Sequence, residues 1–268
     1  ERLFAAQAIG AIKDPRAVEP LIAALTDGHD WVRLYAAIAL GEIGDRRALT
    51  HLISILGEPG FKTSPAIYKI FDRFGEAAVP ELISVADEDK NIRRRCAAMA
   101  ILGHLKSETA FDKLMAGLKS QDQDIRAACV EAVANYGSRP EVLPALEQVL
   151  KNTSTKLRGR VIQALAAIGT EDVIRPLLMA LHKGQLGRDG KDGVLNVLTE
   201  LGDKALPKLI ELLGSKQVGL RKASAEALVS IGPSVQSEVE RAAKSDDANV
   251  RFWAARVLKG LREGKLSE

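Results

Sequence analysis

Residues 30–45 read Asp30-Trp31-Val32-Arg33-Leu34-Tyr35-Ala36-Ala37-Ile38-Ala39-Leu40-Gly41-Glu42-Ile43-Gly44-Asp45, and this stretch decides the fold. Val32, Ala36, Ala39, Leu40 and Ile43 stand three and four apart, the spacing of one apolar face of an α-helix. Gly44-Asp45 closes that helix and opens a turn. Ala48, Leu52 and Leu56 then mark a second amphipathic helix. The unit is a helix–turn–helix of about 30 residues.

Laying the chain over itself shows the unit repeating. The basic landmark at Arg33 recurs as Arg2, Arg93, Arg126, Arg158, Lys191, Arg221 and Arg251, every 30–33 residues apart from one step of 60 that skips a repeat. The skipped unit keeps Ile67, Ile70, Phe71, Phe74 and Gly75 but has Ser64 where the Arg belongs. The turn returns as Lys13-Asp14-Pro15, Gly75-Glu76, Lys106-Ser107, Gly137-Ser138, Gly169-Thr170, Gly202-Asp203 and Gly232-Pro233. This gives eight two-helix repeats and a ninth first helix ending in Leu261, about eight and a half in all. One such repeat cannot bury its apolar face alone, so neighbours must stack. The expectation is an all-α α-solenoid, a single domain over residues 1–268, with first helices forming one surface and second helices the other. Pro15, Pro80, Pro144, Pro176 and Pro207 fall in the first turns of second helices, where a missing N–H costs little.

The pattern Asp-x-Val-Arg-x-x-Ala-x-x-Ala-Leu-Gly-x-Ile-Gly-Asp at Asp30–Asp45 resembles the HEAT-repeat family, most nearly its bacterial phycobilisome-lyase-like branch. That resemblance implies an inter-repeat ladder of Asp and Arg. The matching residues are Asp30 with Arg33, Asp124 with Arg126, and Asp246 or Asp247 with Arg251, with Arg93, Arg158 and Arg221 at the same landmark. Repeat three lacks the Arg and repeat seven replaces it with Lys191, which cannot reproduce the planar guanidinium fork. Those two joints are expected to be the weak ones. The branch also contains chromophore-lyase subunits and adaptors, so the resemblance implies a fold more than a function.

Composition supports thin helical layers over a sheet-based core, with aromatics at 4% and hydrophobic residues at 46%. A net charge of +3 does not by itself argue for nucleic acid or a membrane. Two cysteines exclude a disulfide framework. No apolar run reaches membrane-spanning length, so no membrane insertion of this stretch is expected. The location expected is cytoplasmic, though absence of a targeting segment says little about a parent protein. The chain opens at Glu1 inside a helical pattern, as a piece of a longer protein would.

No catalytic residue, cofactor site or metal site is expected. Cys96 and Cys129 align with Ala36 in neighbouring repeats and read as small core residues. His29, His51, His104 and His182 lie at different phases, without metal-ligand spacing. Nothing assembles a nucleophile, base and orienter at motif spacing. The segment from Lys183 to Gly193 is glycine-rich but lacks a phosphate-loop ending, and it reads as a loose inter-repeat loop or a frayed helix start, while a loop at 57–65 interrupts the stack in a similar way. Aromatics gather early in the chain, with Phe71 and Phe74 on a core face and Trp31 and Tyr35 at its outer edge.

Charge is uneven: residues 90–191 carry 17 basic and 10 acidic side chains, whereas residues 1–89 carry 9 and 14. Lys119, Lys151 and His182 end successive second helices, where cations suit the helix dipole. Arg175 belongs to one of two second-helix positions that change chemistry from repeat to repeat, and Gln148, Met179 and Glu211 belong to the other. Lys119, Gln148, Lys151, Arg175, Met179, His182 and Glu211 are therefore the candidate partner-binding groove. The leading expectation is a non-enzymatic scaffold for a protein partner or for neighbouring domains of its own parent chain; the basic middle repeats read first as complements to their helix dipoles and second as a match for an acidic surface on a protein partner. A chromophore-lyase or maturation-factor subunit is the second reading, and nucleic-acid binding through the basic middle repeats the third.

Overall fold

A computed structural model of the chain describes residues 1–58, 61, 65–137, 139–151, 154–182 and 188–266. Among these residues the regular elements are all helical. They run α1 (Arg2–Ile12), α2 (Val18–Ala24), α3 (Asp30–Ile43), α4 (Leu49–Ser54), α5 (Pro65–Asp72), α6 (Val79–Glu88), α7 (Ile92–Leu105), α8 (Glu108–Gly117) and α9 (Gln123–Ala134). They continue as α10 (Val142–Lys151), α11 (Thr155–Ile168), α12 (Ile174–His182), α13 (Arg188–Leu201), α14 (Leu206–Leu212), α15 (Val218–Ile231), α16 (Gln236–Ala242) and α17 (Ala248–Glu263). In chain order these are eight helix pairs and a final first helix. The fold is an all-α solenoid.

The helices group into two compact units, Glu1–Tyr136 and Gly137–Glu268. In the first unit the first helices α1, α3, α5, α7 and α9 pack in succession, and α2, α6 and α8 each lie against the next first helix. Leu40, Leu52, Phe71, Leu82, Leu102 and Leu114 are fully or almost fully buried between them. In the second unit α11, α13, α15 and α17 succeed one another, and Leu165, Leu177, Leu198, Leu209, Leu228 and Val257 fill the core. Burial of each such side chain contributes about 1.5–3 kcal/mol, which is why periodicity alone predicts the elements.

Local chemistry sets the boundaries. Gly44 ends α3 at φ 72°, a left-handed cap that a β-carbon would disfavour. Asp45 then accepts a hydrogen bond from Arg47 N at 2.9 Å and starts a short 3-10 turn into α4. Asp14 does the same for Arg16 N at 2.9 Å. At the starts of first helices, Asn91, Asp122 and Asp247 accept from backbone amides of the first turn.

The recurrent Asp and Arg do two local tasks, where the family resemblance implied one ladder across repeats. Arg126 Nη1 donates to the carbonyls of Ser120 and Gln121, the latter at 3.0 Å. Arg221 reaches Ser215 O at 2.6 Å, and Arg251 reaches Ser245 O and Asp246 O, each at 2.7 Å. Arg33 reaches Asp27 O at 2.7 Å and also pairs with Asp30. Each guanidinium closes carbonyls that the end of the preceding second helix and its loop leave without partners. Asp124 is exposed and the capping residue is Asp122. Arg93 is likewise exposed, and its neighbour Arg94 takes the landmark role, binding Asp89 at 2.9 Å and Glu58 at 3.4 Å. One extra residue before α7 shifts the register, and this explains the displacement.

At repeat seven Lys191 donates to Glu226 of α15 at 2.6 Å. Ser64, the corresponding position in repeat three, lies outside the described residues, as do most of the 57–65 loop and Lys183 to Gly187. Phe61, inside that loop, is buried.

Candidate functional site

The second unit contains a shallow pocket with about 20 Å³ of enclosed space, otherwise open to solvent, lined by Glu147, Leu150, Lys151, Arg158, Pro176, Met179 and Ala180. It lies between the last turn of α10, the first turn of α11 and the middle of α12. Pro176, Met179 and Ala180 share one face of α12 because they stand three and four residues apart. Leu150 adds a buried apolar wall. Lys151 and Arg158 bring cations to the rim, and Glu147 is the carboxylate there, 3.5 Å from Lys151 Nζ. The enclosed space admits about one water-sized group and is far below the ~300–1,000 Å³ usual for ligand sites, so this is a surface dent between helices.

Of the groove residues expected from sequence, the pocket gathers Lys151 and Met179. Arg175 is exposed one helical turn before Met179 and shares its side of α12. Gln148 is exposed on α10, outside the lining. Glu211 is exposed on α14 and pairs with Lys208 at 2.9 Å. His182 packs against the start of α15: a β-carbon placed on Gly219 would lie 2.0 Å from its ring. It is therefore an inter-helix contact more than a groove wall. Lys119 belongs to the first unit, exposed just beyond the last turn of α8.

Sequence reasoning missed Arg158 as a pocket residue, together with Glu147, Leu150, Pro176 and Ala180. Arg158 was visible as a landmark residue and as one of the basic side chains of the middle repeats, but not as a neighbour of Met179. That its first-turn position also overlooks a cleft between two second helices is a tertiary fact.

The middle repeats' cations are partly committed to their own chain. Arg94 and Arg126 act as described, Arg95 Nε donates to Ala86 O at 2.9 Å, and Lys113 pairs with Asp87. Phe111 and Tyr136 are both buried, with ring centroids 5.0 Å apart. The Tyr136 hydroxyl donates to Ser107 O at 2.8 Å, and burial pushes its pKa up to about 12. Neither ring is a platform for a base.

Cys129 is fully buried, its Sγ 3.3 Å from Met99 Sδ, and burial pushes its thiol up to about 12. Such a thiol holds its proton and is a poor nucleophile. Cys96 is half-buried. His104 Nε2 lies 2.8 Å from Asp72 and its ring stacks on Tyr68 at 4.5 Å, tying α7 to α5. Among the described residues no cluster of three His, Cys, Asp or Glu could hold a metal ion, and no helix is long and apolar enough to cross a membrane. Trp31 is 65% exposed and borders an open surface depression with Arg2, Leu3 and His29.

These features define a helical-repeat solenoid of paired helices. A HEAT-repeat model matches residues 1–63 and 111–189, more than half of the chain, and the protein belongs to the HEAT-repeat family. Among solved structures it is similar to Kap121p, with a TM-score of 0.58 at 12% identity, over 90% of this chain and 33% of that one. The chain thus spans about a third of Kap121p, and the likeness is one of fold. It also matches an engineered protein at 17% identity and a TM-score of 0.41, over 98% of this chain and 88% of that one. The CpcE–CpcF complex of phycocyanin lyase from Nostoc sp. PCC7120 matches at 21% identity and a TM-score of 0.35, over 94% and 89% of the two chains. No curated protein matches the chain in sequence.

Proposed function

We propose that this protein is a non-enzymatic binding scaffold that holds a protein partner on the exposed faces of its second helices. The observation that carries this reading is the pocket between α10 and α12. It unites Met179, from a position that varies from repeat to repeat, with Lys151, a cation at the end of a second helix, over a buried core that stays uniformly apolar. HEAT-repeat membership supports it, because stacked helix pairs offer extended surfaces for association. The commitment of Arg94, Arg95 and Arg126 to their own backbone and carboxylates favours a protein over nucleic acid. The high thiol pKa of Cys129 gives a lyase reading no support.

The test is affinity measurement against partners captured by the wild-type chain. Replacing both Lys151 and Arg175 by Ala should weaken a bound partner at least ~10-fold, about 1.4 kcal/mol. Lys119→Ala, made separately, reports on the first unit. Unchanged affinity in all three replacements removes the second helices as the binding face.

A further inference from the structure

We propose that the outer face of the first repeat is an open seam, shaped to be covered by one more helix pair of the same kind stacked ahead of α1 in the same polypeptide. The seam is independent of the partner-binding face proposed above. In α1 the residues Phe4, Ala5, Ala8, Ala11 and Ile12 are all exposed, Phe4 at 71% and Ile12 at 72%. Their spacing of three, four and seven puts them on one stripe of the helix, and no polar side chain interrupts it. Single exposed apolar residues are ordinary, whereas a continuous stripe of them marks a contact surface. Beside it, Ala17 and Ile22 are only half-buried.

The next repeat shows what fits this face. There the equivalents of Ala5, Ala8 and Ile9 are Ala36, Ala39 and Leu40, and those of Ala17 and Ile22 are Ala48 and Ile53; all five are buried. A preceding helix pair covers α3, with α1 and α2 both packed against it. The closest approach comes from a glycine of the preceding first helix. A β-carbon on Gly10 would lie 2.8 Å from Ala39 Cβ, one on Gly41 3.0 Å from Ile70 Cα, and one on Gly103 2.5 Å from Ala132 Cα. Ala8 holds in α1 the place that Ala39 holds in α3, so the small residue for such an approach is present. The last first helix is built otherwise. Eight residues after its landmark Arg251, where α1 and α3 have Gly10 and Gly41, α17 has Lys259, 61% exposed and 3.7 Å from Glu263. Phe252 is exposed on α17 too, but the Arg256 guanidinium lies over its ring at 5.9 Å. A repeat face kept in water carries such polar groups, and the outer stripe of α1 carries none. A single helix laid on α1, such as that of a second copy, would leave Ala17 and Ile22 open, whereas a helix pair closes both.

The experiment joins a copy of residues 1–31, one repeat with its own connecting loop, ahead of Glu1 of the whole chain, which keeps the register of Arg2 and Arg33. In the copy, Phe4→Gln and Ile12→Lys make its own outer face polar. The readout is hydrogen exchange of the original α1 amides, followed by mass spectrometry on peptides that those two substitutions distinguish. The extension should slow exchange of the original α1 at least ~10-fold, since a covered helix opens less often than an end helix. Ala8→Glu in the original repeat alters an exposed residue, so the unextended chain should tolerate it, and in the extended chain it should abolish the slowing. Unchanged exchange in the extended chain, or slowing that survives Ala8→Glu, overturns the inference. An unextended chain that dimerises and protects α1 as concentration rises overturns it as well, because the occupant is then a second copy. No residue used here belongs to the α10–α12 surface, so failure of this seam leaves the scaffold reading to its own test.

Discussion

The junction of α7 with α9 in the first unit and that of α13 with α15 in the second are built from the same repeat, yet they are held differently. At the first, Gly103 brings two backbones together so closely that a β-carbon there would lie 2.5 Å from Ala132 Cα. Arg126 closes the carbonyls after α8, Asp122 caps α9, and the Tyr136 hydroxyl reaches back to Ser107 O. At the second, Lys191 stands in the Arg position and bridges to Glu226, with the two side chains 45% and 32% exposed. A β-carbon on Gly193 of α13 would meet nothing within 4 Å. At the equivalent landmark positions Arg126 and Lys191, one joint is thus closed by a guanidinium on carbonyls and the other by a solvated ion pair. Because repeats contact mainly their neighbours, stability along such a chain is set joint by joint.

Substitutions can break this contrast. The largest effect is expected from Gly103→Ala, whose new methyl must displace Ala132 backbone, at a cost of about 2 kcal/mol in chemical denaturation. Gly193→Ala should do the opposite, gaining about 0.5–1 kcal/mol because a helix-interior glycine is replaced without a clash. If both changes destabilise alike, the two joints are not different in kind.

Next in size is the landmark residue. Arg126→Ala strands the partly buried carbonyl of Ser120 and returns the exposed one of Gln121 to water, and should cost about 1 kcal/mol. Lys191→Ala removes one solvated ion pair and should cost less than about 0.5 kcal/mol. Arg126→Lys should fall between them, since a point charge cannot serve two carbonyls as a planar fork does.

The finest probe is alkaline pH. Cys129 and Tyr136 have folded pKa values raised to about 12 from ordinary values of 9.0 and 10.0. The native state therefore holds those protons more tightly than the unfolded chain. Their contribution is complete below pH 9 and is lost as pH rises through about 12. In a Cys96→Ser variant, iodoacetamide at pH 8 should label Cys129 only at the rate at which the α7–α9 joint opens. Gly103→Ala should speed that labelling, and labelling at the rate of a free thiol would show that the joint is not closed.

Much of this was readable in the residues. Apolar spacing from Val32 to Ile43, glycine turns and the recurring Arg were enough for helix pairs and their phase. Phe71 and Phe74, placed on the core face from their spacing, are buried, and Trp31, placed at the outer edge, is exposed. The landmark Arg was expected to need carboxylate or carbonyl acceptors, and Arg33 takes both, Asp30 and Asp27 O; which carbonyls it and Arg126 reach was not readable, because backbone acceptors carry no side-chain signature. The looser match of Asp89 with Arg93 was legible, since one or two extra residues are needed to realign Gly103, but the transfer of the role to Arg94 was not: each inserted residue moves every later side chain by about 100° around the helix.

By itself the sequence determined that this chain is helical, repetitive and stacked, since those properties follow from local periodicity and from the inability of one helix pair to bury its own face. Only the tertiary structure decided that Lys151, Arg158 and Met179 share a pocket while His182 is used against Gly219. Which side chains meet across helices depends on how closely the backbones approach, and that distance is set by the packing of whole helix faces, not by any residue's own neighbours in the chain.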